Sequence, residues 1–489
     1  MRRTISIAAV LAPTFFLFLP TIRYCLVYDD FEQIVTNPRI TAWSYLPGYF
    51  TSHLWAHSPL QDANFYRPVF LIWLRLAYVL FGAPSAVWHL GSILAHLGAT
   101  AIVFLLIRRL TDDLKCSALS AAVFGIHPIH AEAVGWISSV EDPLVTIFLV
   151  ASIYFYSKRR SPISYVSLLF AVLAMFTKEV GIVAPVLIFA YESTQSRLKD
   201  AALGAIPYCF GAMLYMALRI HAIGHFFPAA PPSMSVGAMV LTWPRVLALY
   251  AGHLVWPVHL SPCYDVPVET EIWPLLLLLV VIAGLVWVLR GASPDIRFGA
   301  AWFSVTLLPS LGIRYLLEGD FAHDRYLYLP SVGLALIATA LIARLRFTTT
   351  RIVAVAVVAT ALCWATISNL HVWRDNFSLF QRAVETAPKN ISMKNNLAAA
   401  YLDLNREAEA FPLLQQVLAA EPGSRLGNYN LGRYYQQSGD EAAADRYFSI
   451  ADQIYNHEQA GRVRADHRGQ ALRWRKFIEQ RAPCPRRSP

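Results

Sequence analysis

Between Ile5 and Ser368 the chain is a succession of apolar runs separated by short polar turns. A run approaching about 20 apolar residues is the length that carries a helix across a lipid bilayer. The runs Ile5–Ile22, Val87–Ile107, Ala118–His130, Leu144–Tyr156, Ile163–Phe176, Ile182–Tyr191, Ala201–His221, Trp273–Leu289, Phe298–Ile313, Tyr326–Ile342 and Ile352–Ser368 read as spans, the shorter ones extending into flanking residues. No small-residue cleavage site follows the first, in Tyr24–Asp30, so it reads as an uncleaved span rather than a signal peptide. Two further stretches, Val69–Phe81 and Met239–Trp256, are ambiguous by length alone.

Charge resolves them. The clusters Arg108/Arg109/Lys115, Lys158/Arg159/Arg160, Arg197/Lys199, Arg290/Arg297 and Arg344/Arg346/Arg351 all fall on the cytoplasmic side only if both ambiguous stretches fail to cross. They are then helices lying at, or re-entering, the outer interface. The expected architecture is an all-α polytopic bundle of about eleven spans over residues 1–370. Arg2 and Arg3 hold its N-terminus in the cytoplasm, and residues 371–489 emerge outside.

Composition agrees: 56% of residues are hydrophobic and 15% charged, against about a quarter charged in a soluble domain. A net charge of +9 would suggest nucleic acid in a soluble chain, but here much of the Lys and Arg sits in loops between spans, so no nucleic-acid partner is expected. The six cysteines are scattered and argue for neither a disulfide framework nor a zinc site.

After the last span, positions recur at 34 residues: Leu397 with Leu431, Tyr401 with Tyr435, Ala410 with Ala444, Leu414 with Phe448, Pro388 with Pro422. This is tetratricopeptide-repeat spacing, in which each repeat is a helix pair. Trp373–Pro388 fits the second helix of an incomplete preceding repeat, and Gln459–Arg481 a capping helix. Two complete repeats rarely stand alone, so this α-solenoid is expected to pack on the membrane part and to bind a peptide or protein.

Polar residues near membrane depth are costly and default to functional hypotheses, and they gather on the outer side. Asp29-Asp30 follows the first span; two adjacent carboxylates repel, which suits one as a general base, while a solvated pair capping the next helix explains them equally well. Arg67 opens the first interfacial helix. His127, His130 and Glu132 have spacing that permits a metal, although Pro128 interrupts any helix that would align them, which favours hydrogen-bonded positioning. Ser139-Val140-Glu141-Asp142 and Lys178-Glu179 follow, the latter also readable as a local ion pair. Arg325 begins a span, where a snorkelling arginine is the plain alternative. Acids and the bases Arg67, Lys178 and Arg325 thus converge on one face, an arrangement that suits a phosphate leaving group on a lipid tail.

Read in order, these segments resemble a known family. Asp29-Asp30 looks like the acidic motif of GT-C class membrane glycosyltransferases. Tyr66-Arg67-Pro68, Leu80-Phe81-Gly82, Trp88-His89-Leu90, Arg108-Arg109, His127 to Val134, Thr177-Lys178-Glu179-Val180-Gly181 and Arg325 to Gly333, together with the repeats, are similar to the transmembrane and tetratricopeptide repeat-containing O-mannosyltransferases. The resemblance implies inverting transfer of a sugar, mannose first, from a polyprenyl- or dolichyl-phosphate carrier to an acceptor hydroxyl outside the cytoplasm. It implies Asp29 as base with Asp30 assisting, Arg67, Lys178 and Arg325 on the donor phosphate, and Glu132 and Asp142 as acids of the second outer loop. A divalent metal is left open. The array is shorter than in eukaryotic relatives, which suggests a bacterial inner membrane with the repeats in the periplasm and leaves a glycan or lipid acceptor open beside protein. The rival from another class is a non-enzymatic membrane scaffold that recruits proteins through its repeats.

Overall fold

The computed structural model describes residues 2–58, 65–82, 84–159, 164–226, 232–342 and 349–460. Among these, helix is the only regular secondary structure. Seven helices are long and apolar enough to cross a membrane: Ser85–Thr111, Ile137–Tyr156, Leu198–Ile223, Val236–Val255, Trp273–Arg290, Pro294–Tyr315 and Ile352–Trp373. Shorter apolar helices are Ile7–Arg23, Pro68–Leu80, Leu114–Ile126, Tyr165–Thr177 and Ser331–Ile342. Val236–Val255 is one of the two stretches that the basic clusters keep from crossing, yet its length meets that of a crossing helix. Arg160, Arg344 and Arg346 of those clusters lie outside the described residues.

Two expected spans end elsewhere, and proline is the reason. The helix expected to reach His130 stops at Ile126, because His127 precedes Pro128 and is extended at φ −70°, ψ 132°. The helix expected from Tyr326 starts at Ser331, after Pro330 and a separate short turn over Asp324–Leu327. Both breaks free a few residues of backbone at one end of the bundle.

The bundle core interlocks Leu106, Leu149, Ile153, Ala174, Leu187, Trp302, Tyr328 and Leu336. Helices Pro294–Leu307 and Ser331–Ile342 touch through Gly299 and Gly333; a Cβ on Gly299 would stand 2.7 Å from the Gly333 carbonyl oxygen. Small residues permit such close backbone approach where lipid supplies no hydrophobic drive between helices. Cys25 is disulfide-bonded, which the scattered cysteine spacing did not suggest.

Beyond the last apolar helix, five helices follow: Asn376–Thr386, Ile391–Asp403, Glu407–Ala420, Arg425–Gln437 and Glu441–Ala460. Their phasing repeats every 34 residues at the level of the backbone. Asn390 and Ser424 cap the second and fourth helices, each side chain accepting the amide three residues on. Asn405 (φ 54°) and Gly439 (φ 84°) are the left-handed residues that reverse the chain within each pair. Ala410 and Ala444 are buried at the contact of the paired helices, and Gly432 lies so near Phe448 that a Cβ would come within 2.7 Å of its ring. The expected capping helix Gln459–Arg481 lies almost wholly outside the described residues.

This helical module does not stand apart. Phe380, Leu379, Ala383, Met393 and Leu397 share one buried cluster with Val27 and Trp136 of the membrane part, and Trp136 stacks on Trp373 at 5.7 Å. Hydrogen bonds cross the same seam, from Asp265 N–H to the Thr386 carbonyl at 3.2 Å and between the Ser261 and Thr386 hydroxyls at 2.6 Å.

Candidate functional site

The short turn Leu19–Arg23 ends the first apolar helix, and the chain then reverses through Tyr28, whose φ is 52°. A left-handed conformation costs a non-glycine residue about 1–2 kcal/mol, so the surroundings must hold it. They do so on both sides. Asp30 N–H donates to the Val27 carbonyl at 3.0 Å, Val27 N–H donates to Asp30 Oδ2 at 3.1 Å, and Tyr28 N–H donates to Asn376 Oδ1 at 3.0 Å.

The two acids are thereby sorted. Asp30 is fully buried, and its Oδ1 accepts both the Ser138 N–H at 2.7 Å and the Ser138 hydroxyl at 2.6 Å. Burial pushes its carboxyl up to about 7, with those hydrogen bonds pulling the other way. Asp29 is partly exposed. An acid that keeps its proton longer in the folded state stabilises the fold fully below its ordinary value of 3.8, and that contribution is lost as pH rises through about 7. Asp30→Asn has no such titration. Its thermal midpoint in detergent should therefore gain on wild type from about pH 5 to about pH 8; a constant difference would show that Asp30 does not titrate there.

The three basic residues singled out in the sequence are each met by carboxylates. Arg67 reaches Glu141 at 2.5 Å and Glu179 at 2.6 Å, and Lys178 reaches Asp142 at 2.6 Å and Glu141 at 3.1 Å. Arg325 is paired with Glu132, whose second oxygen accepts the Arg325 backbone N–H at 3.0 Å. Three cations thus face four carboxylates, so the cluster carries no surplus of positive charge. The snorkelling alternative for Arg325 fails, since its partner is a buried acid, and the purely local pair Lys178-Glu179 is replaced by pairing across elements. Glu179 has the most exposed side chain of the four acids, at 29%.

Backbone fit explains how these groups are presented. Lys178 is extended at the end of helix Tyr165–Thr177, and Glu179–Val183 turns back against that helix. Gly181 makes this possible: a Cβ there would stand 2.5 Å from the Ala174 carbonyl oxygen and Met175 nitrogen. Arg325 is fixed from behind by its neighbour Asp324, which is bonded to His253 at 2.7 Å and to the Tyr264 hydroxyl at 2.6 Å.

The segment 136–142 joins the acid loop to the cation cluster. Ser138 holds Asp30, Glu141 and Asp142 hold Arg67 and Lys178, and Trp136 lies 5.7 Å from Tyr28 on one side and 5.0 Å from the Arg325 guanidinium on the other. The charges of Asp29, Asp320 and Arg325 all act on the Tyr28 hydroxyl.

The possible metal set does not assemble. The His127 ring caps the Ile129 N–H at 3.3 Å, His130 is buried against Phe124 at 4.6 Å and Tyr328 at 4.3 Å, and Glu132 is taken by Arg325. Among the described residues no group of three or more His, Cys, Asp or Glu could hold a metal ion. The His127 and His130 rings lie edge to face at 6.3 Å, each with further partners of its own. Sequence reasoning named Glu141 and Glu179 only as neighbours in a motif and missed Trp136, Ser138 and Asn376; an isolated Trp or Asn carries no pattern that would single it out.

A protein O-mannosyl-transferase of Caenorhabditis elegans is 25% identical over 413 residues, which cover 78% of this chain and 58% of that protein. The chain is similar to protein O-mannosyl-transferases. TMTC1 of Homo sapiens, so named, is 24% identical over 478 residues (83% of this chain, 54% of the relative), and human TMTC3 is 21% identical over 493 residues (88% and 53%). The chain spans about half the length of these curated protein O-mannosyl-transferases. No family model and no solved structure matches it. The relatives are glycosyltransferases by name, the class that the motifs resemble.

Proposed function

We propose that this chain is a membrane glycosyltransferase that moves a sugar, mannose by the names of its relatives, from a polyprenyl- or dolichyl-phosphate carrier to an acceptor hydroxyl on the extracytoplasmic face. The observation that carries the reading is that segment 136–142 ties the Asp29-Asp30 loop, through buried Asp30, to three basic residues.

In this reading the Asp29 carboxylate takes the proton of the acceptor hydroxyl. The acceptor oxygen then bonds to the anomeric carbon, the carbon–oxygen bond to phosphate breaks on the opposite face, and the configuration inverts. The lipid phosphate leaves with the electron pair, and Arg67, Lys178 and Arg325 stabilise its developing charge. Because the cations are already paired, the phosphate must replace a carboxylate, and Glu179, the most exposed of the acids, is the one that can yield its place on Arg67. Asp30 holds the loop, Glu132 and Asp142 orient Arg325 and Lys178, and His127 and His130 shape the adjoining turn.

The topology proposed with this chemistry has about eleven crossings, Pro68–Phe81 and Val236–Val255 lying at the outer interface. The module after residue 370 is a short tetratricopeptide-repeat solenoid on the outer side, periplasmic in a bacterial inner membrane, where it engages a protein or peptide acceptor. Its 34-residue phasing and its seam with the Asp29 loop support that reading.

Sealed vesicles carrying the full chain test chemistry and side together. With mannosyl-phosphoryl-polyprenol in the membrane, sugar should pass to an acceptor supplied on the extracytoplasmic side and not to one supplied on the cytoplasmic side. Transfer on the opposite side, or none from a lipid-phosphate donor, would overturn the reading.

A further inference from the structure

We infer that Asn376, the first residue of the helical module's first helix, is a positioning residue for the Asp29 loop, so that the module completes the catalytic unit as well as docking a partner. The inference rests on the transferase reading above and deepens it.

Tyr28 is the residue immediately before the proposed base, and its left-handed φ of 52° fixes the direction in which the chain delivers Asp29. The inner side of this turn is tied by Val27 and Asp30 to one another and by Ser138. On the outer side Tyr28 N–H donates to Asn376 Oδ1 at 3.0 Å, across 348 residues of sequence. The contact is reinforced nearby. Cys25 N–H donates to the Arg374 carbonyl at 3.0 Å, and the Tyr28 ring lies between Trp136 at 5.7 Å and Phe380 of the helix Asn376–Thr386 at 5.9 Å. Trp136 in turn underlies Arg325.

A continuous line of contact therefore runs from the module through Tyr28 and Trp136 to the cation proposed for the donor phosphate. A strained turn held from both sides keeps its geometry only while both holds persist. A displacement of about 1 Å at a reacting group can cost two orders of magnitude in rate. A load on the helix Asn376–Thr386, such as a seated acceptor, thus acts on the position of the Asp29 carboxylate.

The test uses the purified full chain and the lipid-phosphate donor, with kcat and KM for the donor measured for wild type, Asn376→Ala, Asn376→Asp and Asp29→Asn. Asn376→Ala should lower kcat roughly 10- to 100-fold with the donor KM within about twofold and the unfolding temperature little changed. Asn376→Asp keeps an oxygen to accept the Tyr28 N–H, at a helix start that tolerates an acid, and should recover most of the rate. The inference is overturned if Asn376→Ala retains wild-type kcat, if its loss follows the amount of folded protein, or if Asn376→Asp recovers nothing. The underlying reading fails separately, if wild type transfers no sugar or if Asp29→Asn is as active as wild type.

Discussion

Asp29→Asn is expected to lower sugar transfer by roughly 10²- to 10⁴-fold, with the amount of protein in the membrane unchanged. An amide cannot take the acceptor proton, and Asp29 is only partly buried. Asp30→Asn should behave differently. Its oxygen can still accept from Ser138, but the new amide nitrogen meets the Val27 N–H donor, so the loss belongs to loop geometry. Transfer rates normalised to folded protein separate the two. Equal loss in both variants would mean that neither acid is specialised, and full activity in Asp29→Asn would move the base elsewhere.

The second large effect falls on stability. Lys178→Ala leaves Glu141 and Asp142, exposed by 6% and 3%, without the cation that lies between them. Removing one partner of a buried ion pair costs about 3–5 kcal/mol, and here two carboxylates are left facing each other. A strongly lowered unfolding temperature of the detergent-extracted protein is expected. The double variant Lys178→Ala/Asp142→Ala should recover part of it, since Arg67 still serves Glu141. If Lys178→Ala keeps the wild-type unfolding temperature and weakens only donor affinity, Lys178 is held ready for ligand and is no strut of the fold.

Much of this was visible in the residues, for identifiable reasons. Long apolar runs have one stable backbone solution in lipid, so Val87–Ile107 and Ala201–His221 correspond closely to helices Ser85–Thr111 and Leu198–Ile223. The 34-residue offset survives as cap and turn chemistry at Asn390 and Ser424, Asn405 and Gly439, because caps depend on residues adjacent in sequence. What sequence could not supply was pairing at a distance. Arg67 finds Glu141 and Glu179, 74 and 112 residues away, and Arg325 finds Glu132 at 193. Seen singly, each is an arginine near a membrane surface. For His127, His130 and Glu132 the spacing permitted a metal while Pro128 favoured positioning, and what sequence did not show was the partners: the Ile129 N–H for His127 and Arg325 for Glu132.

Helix Trp273–Arg290 carries the opposite kind of information. Its side chains are Leu, Val, Ile and Trp nearly all round, and Pro274 is its buried residue. An exchange of one aliphatic for another there trades one lipid contact for another, and the bilayer does not read order. Such a stretch is a solvent-matched spacer whose letters are free to wander while its oiliness is kept. Along this chain, the memory of ancestry should therefore be patchy, erased quickly in the lipid-facing stave and held longest where an arginine waits for one particular glutamate.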